Sequence, residues 1–180
     1  GYDLGDKPLS DPSDITYDGG ERIYITDSGN DRILVVDRSL SLLRVIDRYV
    51  LDGQETAFSS PSCTAVADGM LYIADTQNAR IVVLRADDLS TDRVLAQPEI
   101  AALGEYSYLP AKLAVDASGR IYVIAKNINK GLIQLSRDGE FESFLGAPKV
   151  SPSLSDIIVR RLFSRKMRDR MIKSVPTEYN

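Results

Sequence analysis

The chain has 180 residues, 43% of them apolar and 27% charged, with a formal net charge of −4, which suits a folded, core-burying protein. The acidic balance disfavours nucleic acid as a partner, and the lack of any histidine removes the commonest general base and a common zinc ligand. One cysteine, Cys63, precludes an intrachain disulfide and reads as a small buried residue on a strand.

Residues 1–11 read as the tail of an upstream outer strand and a lead-in. With Gly1 in place of a methionine and no signal-like run, the start looks like that of a mature or excised piece. Pro12 then opens a pattern that Pro61 and Pro110 open again, 49 residues apart each time. A period of this size, filled with short strands, predicts an architecture built one sheet at a time. The units are 12–60, 61–109 and 110–150, four strands each. First strands are predicted at 13–17, 62–67 and 111–116. Turn residues follow: Asp18-Gly19-Gly20, Asp68-Gly69 and Asp116 to Gly119. Second strands are placed at 22–26, 70–74 and 120–125, and third strands at 32–37, 80–85 and 131–136. Fourth strands fall at 42–47, 93–96 and 141–145. Ile, Val, Tyr and Leu dominate the inner strands, as burial on both faces requires. The links 50–60 and 97–109 carry an outer strand toward the next proline, the second with a short helical turn at 98–103.

After Gly146 the alternation stops. Leu154, Ile157, Ile158, Leu162, Phe163, Met167 and Met171 recur at helical spacing, predicting a basic amphipathic helical segment over 151–175, kinked or split at Ser164. Arg160, Arg161, Arg165, Lys166, Arg168 and Arg170 give it a cationic face suited to an anionic membrane or wall surface, or to simple solvation. Residues 176–180 read as the lead-in to a fourth unit that is missing.

The core of the unit, Tyr-Ile-Thr/Ala-Asp-x-x-Asn-x-Arg-Ile, occurs at Tyr24 to Ile33 and Tyr72 to Ile81 and resembles the NHL repeat of β-propeller proteins. The third unit departs from it: Ala125 replaces the Asp, Lys130 stands near the Arg position, and an extra residue precedes Gly131. The resemblance implies an all-β propeller, here a partial ring of three four-stranded blades, plus the helical segment. The whole chain also looks like the amino-terminal part of secreted or surface-associated NHL-repeat proteins of Gram-positive bacteria, which implies an extracellular or cell-surface location.

Asp27 and Asp75 end second strands, where their carboxylates are expected to accept bonds from the turn amides that follow. Asn30 and Asn78 suit left-handed turn positions, and Arg32 and Arg80 are placed to bridge to a carboxylate or blade edge. A site residue seldom recurs in every blade whereas a blade-stabilising one must, so all six read as blade-stabilising. Gluconolactonases have a related propeller with Glu, Asn and Asp around a divalent ion, and peptide-amidating lyases carry histidines there. Asp14, Glu21, Asp116 and Asn127 offer oxygens, but nothing in their spacing says that they converge. No cofactor or catalytic residue is expected. The sequence thus predicts a non-enzymatic scaffold whose loops on one face bind a protein, peptide or glycan. A lactonase- or lyase-type enzyme completed by missing blades is the alternative, and surface association through the basic helix is a second. Three blades cannot close a ring, so a homodimer completing it is a further expectation.

Overall fold

The computed structural model describes residues 7–146, which form three four-stranded antiparallel sheets and one hairpin. The predicted helical segment with its six arginine and lysine residues, residues 1–6 of the upstream stretch and the lead-in at 176–180 lie outside the described residues.

The first blade comprises β1 (Pro12–Tyr17), β2 (Arg22–Asp27), β3 (Arg32–Asp37) and β4 (Leu42–Ile46). A hairpin of β5 (Arg48–Leu51) and β6 (Gln54–Ala57) follows, where an extension of the outer strand was expected. The second blade is β7 (Pro61–Ala67), β8 (Met70–Asp75), β9 (Arg80–Arg85) and β10 (Thr91–Leu95). The third is β11 (Leu109–Val115), β12 (Ile121–Lys126), β13 (Leu132–Leu135) and β14 (Phe141–Leu145). Each blade pairs its strands in sequence order. The helical turn of the second link is a 3-10 turn at Ala101–Leu103.

The recurring prolines do more than precede their strands. Each lies within or at the start of the innermost strand, beside a β-bulge: the register shifts between Pro12 and Asp14, between Pro61 and Cys63, and between Pro110 and Lys112. Proline brings no N–H, so the edge of a sheet at a bulge is where it costs least. A bulge also frees main-chain groups from the ladder, and the neighbouring blade takes them up. Ser13 Oγ donates to Ser62 O at 2.9 Å, and Ser62 Oγ to Ala111 O at 3.0 Å. Ser28 Oγ donates to Pro61 O, and Thr76 Oγ1 to Pro110 O at 2.7 Å. Hydroxyls of one blade thus satisfy the bulged carbonyls of the next.

Between the blades lie two apolar layers. Tyr24, Ile33 and Val35 of the first blade pack on Leu71, Ile73, Val82 and Leu84 of the second. Tyr49 of the linker hairpin and Phe58 just after it close this layer, their ring centroids 5.0 Å apart. The second layer joins Tyr72, Ile81 and Val83 to Leu113, Ile121, Val123 and Ile133. Cys63 belongs to it and is buried, as its sequence context suggested. The middle blade is therefore apolar on both faces, which is why β8 and β9 read as near-continuous apolar runs.

Thr76→Val removes the nearer, buried donor to Pro110 O and leaves it the longer contact from Ser62 Oγ at 3.2 Å. It should lower unfolding free energy by about 1–2 kcal/mol, while Ser13→Ala, at an exposed bond, changes it by less. Urea denaturation of the two variants reads the difference.

Candidate functional site

Two constellations lie at the same end of the strands, where β1, β7 and β11 begin and β2, β8 and β12 finish. The first repeats. Asp27 Oδ2 accepts Asn30 Nδ2 at 2.8 Å and Arg32 Nε at 2.6 Å, and Asp27 Oδ1 accepts Ser10 N–H at 2.7 Å. Asp75 does the same with Asn78 Nδ2 at 2.8 Å, Arg80 Nε at 3.2 Å and Ser59 N–H at 2.8 Å. Both carboxylates are fully buried. The six residues singled out from the sequence are thus brought together as two triads.

Two details differ from expectation. The main-chain donors are not the turn amides that follow but Ser10 and Ser59, each two residues before the blade's proline, so each carboxylate ties the incoming linker to the strand end. The asparagines are not the left-handed residues: they close 3-10 turns at Ser28–Asn30 and Thr76–Asn78, and Asp31 (φ 54°) and Ala79 (φ 55°) turn left-handed. Asn30 and Asn78 instead reach back to Pro8 O and Ala57 O. Gly29 is constrained by the same junction, since a Cβ there would meet Ser10 Oγ at 2.5 Å. In the second blade Tyr49 adds its hydroxyl to Asp75 Oδ2 at 3.0 Å and its ring beneath Arg80.

The third blade replaces this triad as a unit. Ala125 stands for the aspartate. Continuing the register of Val123 with Ile133 sets Ala125 opposite Gly131, so Gly131 rather than Lys130 holds the arginine position. The residue two before the proline is Tyr108, only 1% exposed and packed in the apolar layer with Ala125. The carboxylate, the guanidinium and the serine are thus replaced at their positions by Ala125, Gly131 and Tyr108, and the Tyr108 hydroxyl is buried without a hydrogen-bond partner among the described residues. The loop between β12 and β13 is one residue longer than its counterparts, with Asn127 at φ 67°. Beside it, the 97–106 linker forms an open hollow of about 500 Å³ lined by Gln97, Pro98, Glu99 and Tyr106. A second hollow, about 290 Å³, runs from Tyr106 and Leu103 to Asn127 and Lys130.

The other constellation is axial. Asp14, Cys63 and Lys112 occupy the same position in the three blades, two residues after each proline. Asp14 Oδ2 accepts Thr64 N–H at 3.0 Å, and Cys63 Sγ accepts Leu113 N–H at 3.4 Å, one contact made twice with different acceptors. Lys112 is a donor only. It reaches past the middle blade to Asp14 Oδ1 at 2.9 Å and to Ser13 O at 3.1 Å. Burial pulls the Asp14 carboxyl upward, but the bonds from Lys112, Thr64 and Cys63 outweigh it and hold it below its ordinary value. Burial pushes the Cys63 thiol up to about 11. Sequence reading missed Lys112; its place two residues after Pro110, where Asp14 stands after Pro12, was the available signal.

The four oxygen-bearing residues considered for a metal do not converge. Asp14 and Asn127 lie at this end, on different blades. Glu21 and Asp116 belong to hairpins at the opposite end. There Asp116 accepts Tyr122 Oη and Arg120 Nε at 2.9 Å each. Its desolvation is outweighed by the bonds from Tyr122, Arg120 and Ser118, which hold it down to about 2. Among the described residues no three His, Cys, Asp or Glu side chains are grouped to hold a metal ion, and no helix is long and apolar enough to cross a membrane.

The Asp27 carboxyl also lies below its ordinary value: burial raises it, and the bonds from Ser10, Asn30 and Arg32 more than offset this. A lowered folded pKa contributes stability that is present above the unfolded value of 3.8 and is lost as pH falls through the folded one. Asp27→Asn should therefore flatten acid unfolding below about pH 4, and by removing a carboxylate from the buried Arg32 it should cost about 3 kcal/mol at neutral pH. Urea titrations across pH check both. Cys63 should stay unreactive to a thiol reagent at pH 8 until the protein unfolds, which a colorimetric thiol assay with and without denaturant reads.

No family model and no curated protein matches the sequence. Solved structures do match its fold. Hydrazine synthase of Kuenenia stuttgartiensis is 14% identical, with a TM-score of 0.56 over 82% of this chain and 40% of that one. A catalytically inactive virginiamycin B lyase from Staphylococcus aureus, crystallised with quinupristin, is 15% identical, with a TM-score of 0.58 over 82% and 45%. A Bacteroides fragilis protein inferred to be exported is 11% identical, with a TM-score of 0.60 over 82% and 40%. The chain spans less than half the length of each, and what it shares with them is the fold, an all-β propeller of four-stranded blades.

Proposed function

We propose that the chain is a non-enzymatic propeller scaffold of NHL type, part of a longer extracytoplasmic protein, that binds a protein, peptide or glycan through the loops at the end where the blades begin. The observation that carries this reading is the third blade. Elsewhere that end of the strands is tied down by a buried carboxylate; here Tyr108 and Ala125 lie in the apolar layer instead, and the neighbouring loops open into two hollows. A local rule broken with a matching compensation is what a functional surface on a repeat scaffold produces. The Asp27 and Asp75 triads, in this reading, keep the other two blades rigid and present nothing to a ligand. The resemblance to NHL repeats at Tyr24 to Ile33 and Tyr72 to Ile81 supports the family, and the exported Bacteroides fragilis neighbour supports the location.

The test is a screen of the chain against peptide and glycan arrays with two loop variants. Lys130→Glu, in the long loop, should reduce binding of any true ligand, whereas Arg137→Glu, at the opposite end, should leave it unchanged. Equal loss in both variants, or conversion of a bound compound into product, overturns the scaffold reading.

A further inference from the structure

Resting on that scaffold reading, we infer that the paired hollows form one groove for a neutral oligosaccharide, with Tyr106 as its stacking platform.

Tyr106 is the residue that both hollows share. It packs against the apolar layer yet is only half-buried and borders both hollows. Its position is held from two sides: its hydroxyl donates to Pro98 O, and Gln97 Nε2 donates to its carbonyl at 3.2 Å. A ring fixed before binding loses little entropy when a ligand packs on it. The face of a sugar ring presents C–H bonds, which pack on an aromatic face, and its edge presents hydroxyls that both donate and accept.

The rest of the lining meets that second need. Asn127 and Asn129 offer exposed side-chain amides, each able to donate and to accept. The charges present are Glu99 on one side and Lys130 on the other. One of each sign leaves the groove without the single-signed field that a polyanion or polycation needs. Both hollows are open at the surface, which fits a short stretch of polymer rather than an enclosed small molecule. A bound peptide would call for a free strand edge or an apolar anchor pocket; this groove is bordered by loops on both sides, 97–106 and 127–130.

The experiment is calorimetric titration of the full chain with cellohexaose, chitohexaose and maltohexaose. One of the three should bind. Tyr106→Ala should weaken that binding about tenfold, the loss of about 1.4 kcal/mol. Tyr106→Phe, which keeps the ring, should stay within about threefold of the wild type. Asn129→Ala, on an exposed loop residue, gives a second reading should Tyr106→Ala unfold, and should weaken binding about threefold. No binding of any of the three sugars overturns the inference, as does sugar binding that neither Tyr106→Ala nor Asn129→Ala weakens. Peptide binding that Tyr106→Ala abolishes, with no sugar bound, overturns the oligosaccharide while leaving the scaffold reading intact. Cleavage of a probe overturns the scaffold reading itself.

Discussion

A buried carboxylate at the end of a blade's second strand is the constraint on which the first two blades depend. Asp27 and Asp75 are fully buried, and an aspartate in that position is tolerable only when its oxygens are filled. Each is filled from three directions: the linker arriving before the proline, the asparagine of the tight turn, and the arginine that opens the third strand. Those three segments are otherwise independent pieces of chain. One side chain makes them a single corner, and so sets the register of β2 with β3 and the angle at which the linker enters β1. The proline and its bulge recur in the third blade without the carboxylate, so they are a separate device, and the hydroxyl contacts between blades depend on them.

The third blade shows what happens when the constraint is lifted. Removing the carboxylate alone would leave a buried arginine and a linker amide with unmet bonds. Instead Ala125, Gly131 and Tyr108 change together, and Tyr108 packs in the apolar layer with its hydroxyl buried and unpartnered among the described residues. The corner remains packed, but it no longer dictates the loop beside it. That loop gains a residue, and the linker before β11, no longer than the one before β7, carries a 3-10 turn in place of a hairpin. Freedom to vary the loops here is a consequence of how the corner is filled, not of weaker packing.

Much of this was legible in the chain. The 49-residue proline spacing and the Asp-x-x-Asn-x-Arg sequence located the blades and the residues that meet in each corner, because a repeat prints its local geometry several times. The direction of the bonds was not legible. Ser10 and Ser59 lie far from Asp27 and Asp75 in sequence, so nothing local named them as donors, and the turn amides were the nearer candidates. The hairpin of β5 and β6 was hidden because Asp52-Gly53 sits inside a stretch that also reads as one extended strand. Tyr108 could not be read as the counterpart of Ser10 and Ser59, since only the fold shows that an aromatic ring replaces a polar network. Lys112 was missed for a related reason: its partner Asp14 lies two blades away.

The hydroxyl bonds that reach the bulged carbonyls run forward, while the main-chain N–H groups of Thr64 and Leu113 donate back. Ser13, Ser28, Ser62 and Thr76 give hydroxyl hydrogens forward, and the next blade's bulge receives them. At the matching positions the third blade carries Ala111 and Lys126, and Lys112 turns back toward the first blade instead. The blades are therefore not interchangeable bricks. At the bulges the first two blades offer hydroxyl donors forward, and the third carries no hydroxyl at those two positions. An engineer who shuffled or duplicated blades would find that the second can follow the first but the third cannot precede another of their kind with its hydroxyl contacts intact.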